Sequence, residues 1–241
     1  MRNYAEEFDK RVAFLRSTLE ESGCKGFVFG NSGGKDSALA GILCKAACAD
    51  TVGVIMPCAS KRNYGEDAED GEALATQFGI ESRTVDVTPV REALLLQLQG
   101  VTTMNNMALT NLAPRLRMTT LYAIAAAESR LVVGTGNRSE LYIGYYTKWG
   151  DGASDVNPIA DLCATEVLEF LRYLKAPENI TNKAPSAGLF DGQTDEDEIG
   201  VSYADLDRYL LTGEGSEHTV SVAERMHRNS EHKRIGVKKY A

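Results

Sequence analysis

The chain predicts a doubly wound α/β fold, a parallel sheet with helices on both faces, and two observations carry that expectation. Short apolar, β-branched runs alternate with longer amphipathic ones across residues 26–98, as strands buried on both faces and joined by crossover helices do. Two such runs end in glycine turns that open helices, Gly30-Asn31-Ser32-Gly33-Gly34-Lys35-Asp36-Ser37 and Gly134-Thr135-Gly136-Asn137. Ligands of open parallel sheets sit at the carboxyl ends of strands where the strand order reverses, so the two turns are expected to face one crevice.

The elements follow in order. Phe8, Val12, Leu15 and Leu19 recur at helical spacing, and Gly23 closes that first helix. Its apolar face is expected on the outer face of the sheet or on another subunit. Strands are expected at 26–30, 51–56 and 81–87, and helices at 37–48, 64–78 and 89–98. The stretch 104–129 reads as mostly helical, with Pro114 opening a second helix. Leu131-Val132-Val133 forms the next strand. Residues 150–158 and 181–200 read as long loops flanking a helix at 164–174, and long loops in a compact domain are commonly lids or binding loops. The acidic run Asp195-Glu196-Asp197-Glu198 reads as a solvated face or as the first turn of a helix reaching Tyr209, rather than as a metal cluster.

Composition narrows the class. The 241 residues read as one domain, 1–241, with ordinary apolar and charged fractions. No apolar stretch approaches the length that spans a bilayer, and the first residues lack the apolar segment of a signal peptide, so a cytoplasmic protein without a membrane partner is expected. The five cysteines lack Cys-x-x-Cys spacing, which argues for reduced thiols over a disulfide framework or a zinc site. Cys44 and Cys48 read as small helical hydrophobes, and Cys58, after a strand, as the thiol with a chance of exposure. A net charge of −8 disfavours a nucleic-acid partner. Local cations remain near Arg115-Leu116-Arg117, Lys148 and the tail His232-Lys233-Arg234.

The first turn carries the chemistry. Gly33 and Gly34 let the backbone bend and bring several amides to an anion, at the positive end of the helix that follows. The string lacks the spacing of a Walker loop and of the dinucleotide fingerprint. It resembles the pyrophosphatase loop of synthetases that split ATP between its α and β phosphates, which places the chain among Rossmann-like folds of the adenine nucleotide alpha hydrolase type. That resemblance implies an ATP site built from Gly30, Asn31, Ser32, Gly33, Gly34, Lys35, Asp36 and Ser37. Ser32, Ser37 and the glycine amides would hold pyrophosphate, and Asp36 a metal ion. Lys35 stands where these loops usually carry an uncharged residue, and is either a point charge for phosphate or a solvated loop lysine.

Later blocks narrow the resemblance. The segment from Gly134 to Glu140, the segment from Gly144 to Pro158, Lys183 to Leu189 with Gly192 to Glu198, and His232-Lys233-Arg234 are similar to the corresponding blocks of ammonia-dependent NAD synthetases. That family implies ATP-dependent amidation of deamido-NAD by ammonia. An adenylated intermediate forms first, and NAD, AMP and pyrophosphate are the products. It implies magnesium held by Asp36 and Glu140, the catalytic pair, and ATP contacts from Thr135 and Ser186. Arg115, Lys148, Asp155, His232 and Lys233 would position deamido-NAD. A homodimer is implied, as is free or partner-supplied ammonia, because the chain has no room for an amidohydrolase domain.

One departure stands out: Ala164 occupies a position where the family often has an ATP-contacting lysine, for which Lys35 or Lys183 would substitute. Lys35 is expected to act from the opposite side of the triphosphate. The alternatives are a tRNA-thiolating relative, which would want a reactive cysteine pair and a basic surface, and a nucleotide sensor without turnover.

Overall fold

The computed structural model describes residues 2–183 and 195–240. In chain order, α1 (Tyr4–Ser22) leads into β1 (Gly26–Gly30), α2 (Lys35–Ala47), β2 (Thr51–Ile55), α3 (Lys61–Tyr64), α4 (Glu66–Phe78) and β3 (Glu81–Thr84). Then come α5 (Thr88–Leu98), α6 (Asn106–Thr110), α7 (Leu112–Glu128), β4 (Arg130–Val133) and α8 (Arg138–Ile143). The last third is helical: α9 (Ala164–Tyr173), α10 (Glu178–Thr181), α11 (Asp195–Ile199), α12 (Tyr203–Thr212), α13 (Glu217–Asn229) and α14 (Glu231–Arg234).

The sheet runs β3-β2-β1-β4, and every pairing is parallel. The chain lays β1, β2 and β3 outward in one direction, then returns to place β4 on the other side of β1. The strand order therefore reverses between β1 and β4, the position that leaves a crevice above their carboxyl ends. Successive β1 side chains point to opposite faces. Phe27 and Phe29 enter the cluster formed with α1, α2 and α9, while Val28 joins Val52, Val54 and Val132 against Met118 and Leu121 of α7. Each fully buried side chain of this size contributes about 1.5–3 kcal/mol of transfer free energy. Gly41 shows how close α2 lies: a Cβ there would collide with the Phe29 ring.

Most element boundaries agree with the sequence pattern to within a few residues. The first helix ends at Gly23, which adopts the left-handed conformation, and it packs on α2. Val12 and Leu15 are thus spent inside the same chain, which disposes of the alternative that this face meets another subunit. The expected 64–78 helix is two pieces that share Gly65. Pro114 is the third residue of α7 rather than its first, with Asn111 at the N-cap. β3 stops at Thr84, short of Val87, on the edge of the sheet. The acidic run does not continue to Tyr209, because Gly200 at φ +84° breaks the chain between α11 and α12. The helix α13 has no counterpart among the expected elements. Its inward positions are Thr219, Val222 and Ala223, a narrow stripe in an otherwise polar segment.

Candidate active site

A cavity of about 530 Å³ opens above the β1–β4 switch, and both glycine turns line it. At the first turn, Gly33 sits at φ +70° with no room for a Cβ, which would collide with the Asp67 carbonyl at the start of α4. Gly34 then caps α2 without any side-chain hydrogen bond, so the positive end of α2, with the amides of Lys35, Asp36 and Ser37, is left for a ligand. Ser32 Oγ lies 3.0 Å from Ser37 Oγ, and it accepts from the Gly34 amide at 3.3 Å. Ser37 Oγ donates to the Gly34 carbonyl at 3.0 Å. Asn31 is almost wholly buried, its amide nitrogen donating to the Gly71 carbonyl at 2.8 Å, while its Oδ1 is buried without a partner.

The second turn is built differently. Asn137 and Glu140 form a reciprocal capping box on α8, each side chain accepting the other's backbone N–H at 3.0 Å. The Asn137 side-chain amide reaches across and donates to Asp36 Oδ1 at 3.0 Å, joining the two turns. Glu140 lines the cavity with Asp36, and its carboxyl lies well above the usual range, first because it is buried and second because Asp36 is close. A cation between the two carboxylates would relieve that repulsion.

Lys35 reaches into the same place. Its side chain is 7 % exposed, and Nζ donates to Asp36 Oδ2 at 2.5 Å, 5.4 Å from the centroid of the Tyr203 ring. Burial pulls its pKa down, but the charges of Asp36 and Glu140 outweigh it and the ammonium is held. The solvated-loop alternative therefore falls. Asp195 is buried near this cluster, and the Tyr203 hydroxyl donates to its Oδ2 at 3.3 Å. Glu198 lines the cavity and accepts from the Tyr145 hydroxyl. The acidic run is thus partly turned into the site rather than forming a wholly solvated face.

Ala164 lies elsewhere. It is buried in the cluster of Ile143, Tyr203 and Leu206, with its backbone amide donating to Ser139 Oγ at 3.1 Å, and the cavity lining does not include it. Lys183 is tied to Asp67 at 2.8 Å and Asp70 at 2.5 Å across the cavity rim.

Of the residues expected to hold deamido-NAD, only Lys233 lines the cavity. It donates to the Gly144 and Tyr146 carbonyls at 2.6 and 2.5 Å, and burial pulls its pKa below the usual lysine value. Arg115, Lys148 and His232 form a chain outside the cavity lining, Arg115 Nε donating to the Lys148 carbonyl at 3.3 Å and Lys148 Nζ to the His232 carbonyl. Asp155 is spent on structure, accepting from the Val132 amide of β4 at 2.8 Å and from the Tyr122 hydroxyl at 3.1 Å. Thr135 lines the cavity, and Ser186 lies outside the described residues.

The sequence pattern marked Arg117 only as one of the local cations and assigned it no site role, yet it is held to the Met56 carbonyl and to Asn63 Oδ1 at 2.9 Å each and does line the cavity. Helical spacing was a signal that could have found it: Pro114, Arg117, Met118 and Leu121 share one face of α7. Cys58 corrects another expectation, since it is buried and its thiol pKa is raised by that burial. Cys44 is fully buried, while Cys48 is only partly so.

Comparison with known proteins places the chain in a family. The family model described as NAD synthase matches residues 7–237. An NH3-dependent NAD+ synthetase of Carboxydothermus hydrogenoformans is 48 % identical over 235 residues, covering 96 % of each chain. Among solved structures, an NMN synthetase from Francisella tularensis is similar with a TM-score of 0.95 and 37 % identity over 100 % of this chain and 99 % of its own. An NH3-dependent NAD synthetase from Campylobacter jejuni, 27 % identical, follows this chain over the full length of both at a TM-score of 0.81.

Proposed function

The chain belongs to the NAD synthase family, and from that premise we propose that its cavity carries out the ATP-dependent amidation of deamido-NAD by ammonia, giving NAD, AMP and pyrophosphate. The observation that carries the reading is the meeting of the two strand-to-helix turns: an open helix end that carries Asp36 is tied through the Asn137 amide to the turn that carries Glu140, and both turns line one crevice. ATP is the co-substrate, and the whole of 1–241 acts as one unit. Its free thiols suit a reducing cytoplasm.

The chemical difficulty is charge. The pyridine carboxylate must approach the α-phosphate of ATP, and pyrophosphate must leave. On this reading the Gly33 and Gly34 amides, Ser32 and Ser37 hold the departing pyrophosphate with donors already in position. Asp36 and Glu140 fit a magnesium ion: they are hard oxygen donors, and burial, then the nearby charge of Asp36, raises the Glu140 carboxyl pKa, a cost that a cation would offset. Among the described residues no group of three His, Cys, Asp or Glu side chains would hold a metal alone, so the remaining ligands would have to come from the phosphates and water, as is usual for magnesium. When bound, the ion supplies charge neutralisation on the phosphates. Thr135 and Ser186 touch ATP. Lys233 meets the dinucleotide from the cavity wall, and Arg115, Lys148 and His232 meet it from the rim. Asp155 acts by fixing the end of β4. Exclusion of water protects the adenylated intermediate until ammonia displaces AMP.

The homodimer reading rests on the family, and the exposed apolar side chains Val90 and Leu94, one turn apart on α5, are compatible with it. A second substrate is favoured by one observation, the near-complete overlay on the NMN synthetase: the mononucleotide of nicotinic acid presents the same pyridine carboxylate for amidation. Incubation of pure protein with ATP, magnesium, ammonium and either acid is the test. NAD with AMP supports the first reading and NMN with AMP adds the second. ATP binding without product favours a sensor, and AMP only with tRNA a thiolating enzyme.

A further inference from the structure

Lys35 is out of place by two ordinary rules. A lysine in the first turn of a helix sits at the positive end of the dipole, where acids are preferred, and a side chain only 7 % exposed gives up most of the hydration of its charge. The compensation is local and specific. Asp36 Oδ2 accepts from Nζ at 2.5 Å, the Tyr203 ring lies against it at 5.4 Å, and Glu140 and Asp195 both stabilise the charge. The other oxygen of Asp36 is already engaged by Asn137. In the nucleotide-free protein the ammonium therefore occupies one oxygen of Asp36 and sets its charge against Glu140, the two groups that a metal ion would use.

We propose that Lys35 is a tethered counter-cation that screens Asp36 and Glu140 from free divalent ions, so that a metal enters the site only together with a nucleotide. This rests on the reading of Asp36 and Glu140 as metal ligands. A divalent ion arriving alone meets a fixed positive charge within the same few ångströms and finds Asp36 Oδ2 taken. A metal–nucleotide complex brings phosphates, which take the ammonium as their partner at the α2 end and release Asp36 Oδ2 to the metal. One lysine thus changes partner, from carboxylate to phosphate. The protein avoids idling with a metal that has no phosphate to polarise, and the order of binding follows from the fold.

The test uses the full chain and Mn2+ as the probe, with bound ion read from loss of the free-Mn2+ signal in electron paramagnetic resonance. Without nucleotide, wild-type protein is expected to take up little Mn2+ at this site, and Lys35→Met to bind it roughly tenfold more tightly or better. Lys35→Arg should behave as wild type, and adding Asp36→Asn to Lys35→Met should abolish the gain. With the non-hydrolysable analogue α,β-methylene-ATP present, wild type should take up Mn2+. A melting temperature raised by Mn2+ in Lys35→Met and unmoved in wild type gives a second readout that a packing role for Lys35 would not produce. Lys35→Gln replaces Lys35→Met if the latter does not fold. Equal Mn2+ affinity with and without Lys35, or Asp36-dependent uptake by nucleotide-free wild type as tight as with the analogue, overturns the screening role and leaves the metal reading standing. Absence of Mn2+ uptake at Asp36 even with the analogue overturns both.

Discussion

The turn after β1 and the turn after β4 share a layout, strand then glycines then helix, yet they finish their helices in opposite ways. The first leaves the N-terminus of α2 without a side-chain cap; the second seals the N-terminus of α8 with a complete capping box. An unsealed helix end offers N–H donors and partial positive charge to an anion. A sealed one consumes its donors, and here one sealing residue, Asn137, gives its side-chain amide to Asp36 while the other, Glu140, lines the cavity with its carboxyl. On the proposed function, the first turn would serve as an anion-binding wall and the second as a cation-binding wall, with Asn137 linking them.

Closing the open end should have the largest effect. Gly33→Ala puts a Cβ into the Asp67 carbonyl and strains a backbone at φ +70°, so a loss of about 3 kcal/mol or more is expected in urea unfolding, together with loss of ATP binding by calorimetry. Wild-type unfolding and affinity in this variant would show that the turn is not fixed by α4. Removing the charge that faces both walls comes next. Asp36→Asn should lower kcat by about 10²–10³-fold, the scale of losing one charge-stabilising group, and should also lower the melting temperature, because the buried Lys35 ammonium loses its ion-pair partner. Adding Lys35→Met should restore the melting temperature but not the rate; recovery of both would instead make Asp36 structural. Unsealing the second end separates the two walls: Asn137→Ala should cost about 1 kcal/mol through the cap and also slow turnover, because Asp36 loses its amide partner. If only stability falls, the bridge has no part in catalysis.

The smallest effect is expected behind the second turn. The Asp161 carboxylate accepts from Arg11 at 2.6 and 2.9 Å and lies just ahead of Leu162, whose carbonyl accepts the Arg138 amide at 2.7 Å. Partial burial would raise the Asp161 pKa, but Arg11 overrides that and holds it below its usual value of 3.8. A lowered pKa means stability that is complete above the unfolded-state value and is lost as pH falls below it. Asp161→Asn should therefore be nearly as stable as wild type at acid pH and less stable at neutral pH. The difference should be no more than about 1 kcal/mol, since the side chain is more than half exposed and screened. Chemical denaturation at pH 3 and pH 7 measures it, and an equal loss at both pH values would remove the ion pair from the account.

Much of this contrast was legible in the residues. The glycine string, the second turn and their expected meeting follow from local pattern plus the rule that ligands gather where strand order reverses. Asp36 and Glu140 were singled out by the family resemblance, since taken singly Glu140 reads as an ordinary surface acid of a helix; the structure puts both on the cavity lining. Arg117 was within reach and passed over: it lies on the Pro114–Leu121 face, whereas Arg115, two residues earlier, points to the rim. Asp195 was harder, because four consecutive acids look solvated, and only the packing of α11 beside Tyr203 buries the first of them.

By itself the sequence determined the order of strands and helices, the glycine turn with no tolerance for a side chain, and the residue types needed to handle phosphate and metal. Those properties are local: periodicity, backbone freedom and chemistry are written within a few positions of one another. Only the tertiary structure decided which charges meet. Lys35 and Asp36 are neighbours in the chain, but Asn137, Glu140, Asp195 and Tyr203 come to them from three other elements, and Arg115, Lys148 and His232 are gathered apart from Lys233. Electrostatic partnership depends on distance and burial between segments far apart in sequence, and no local pattern encodes either.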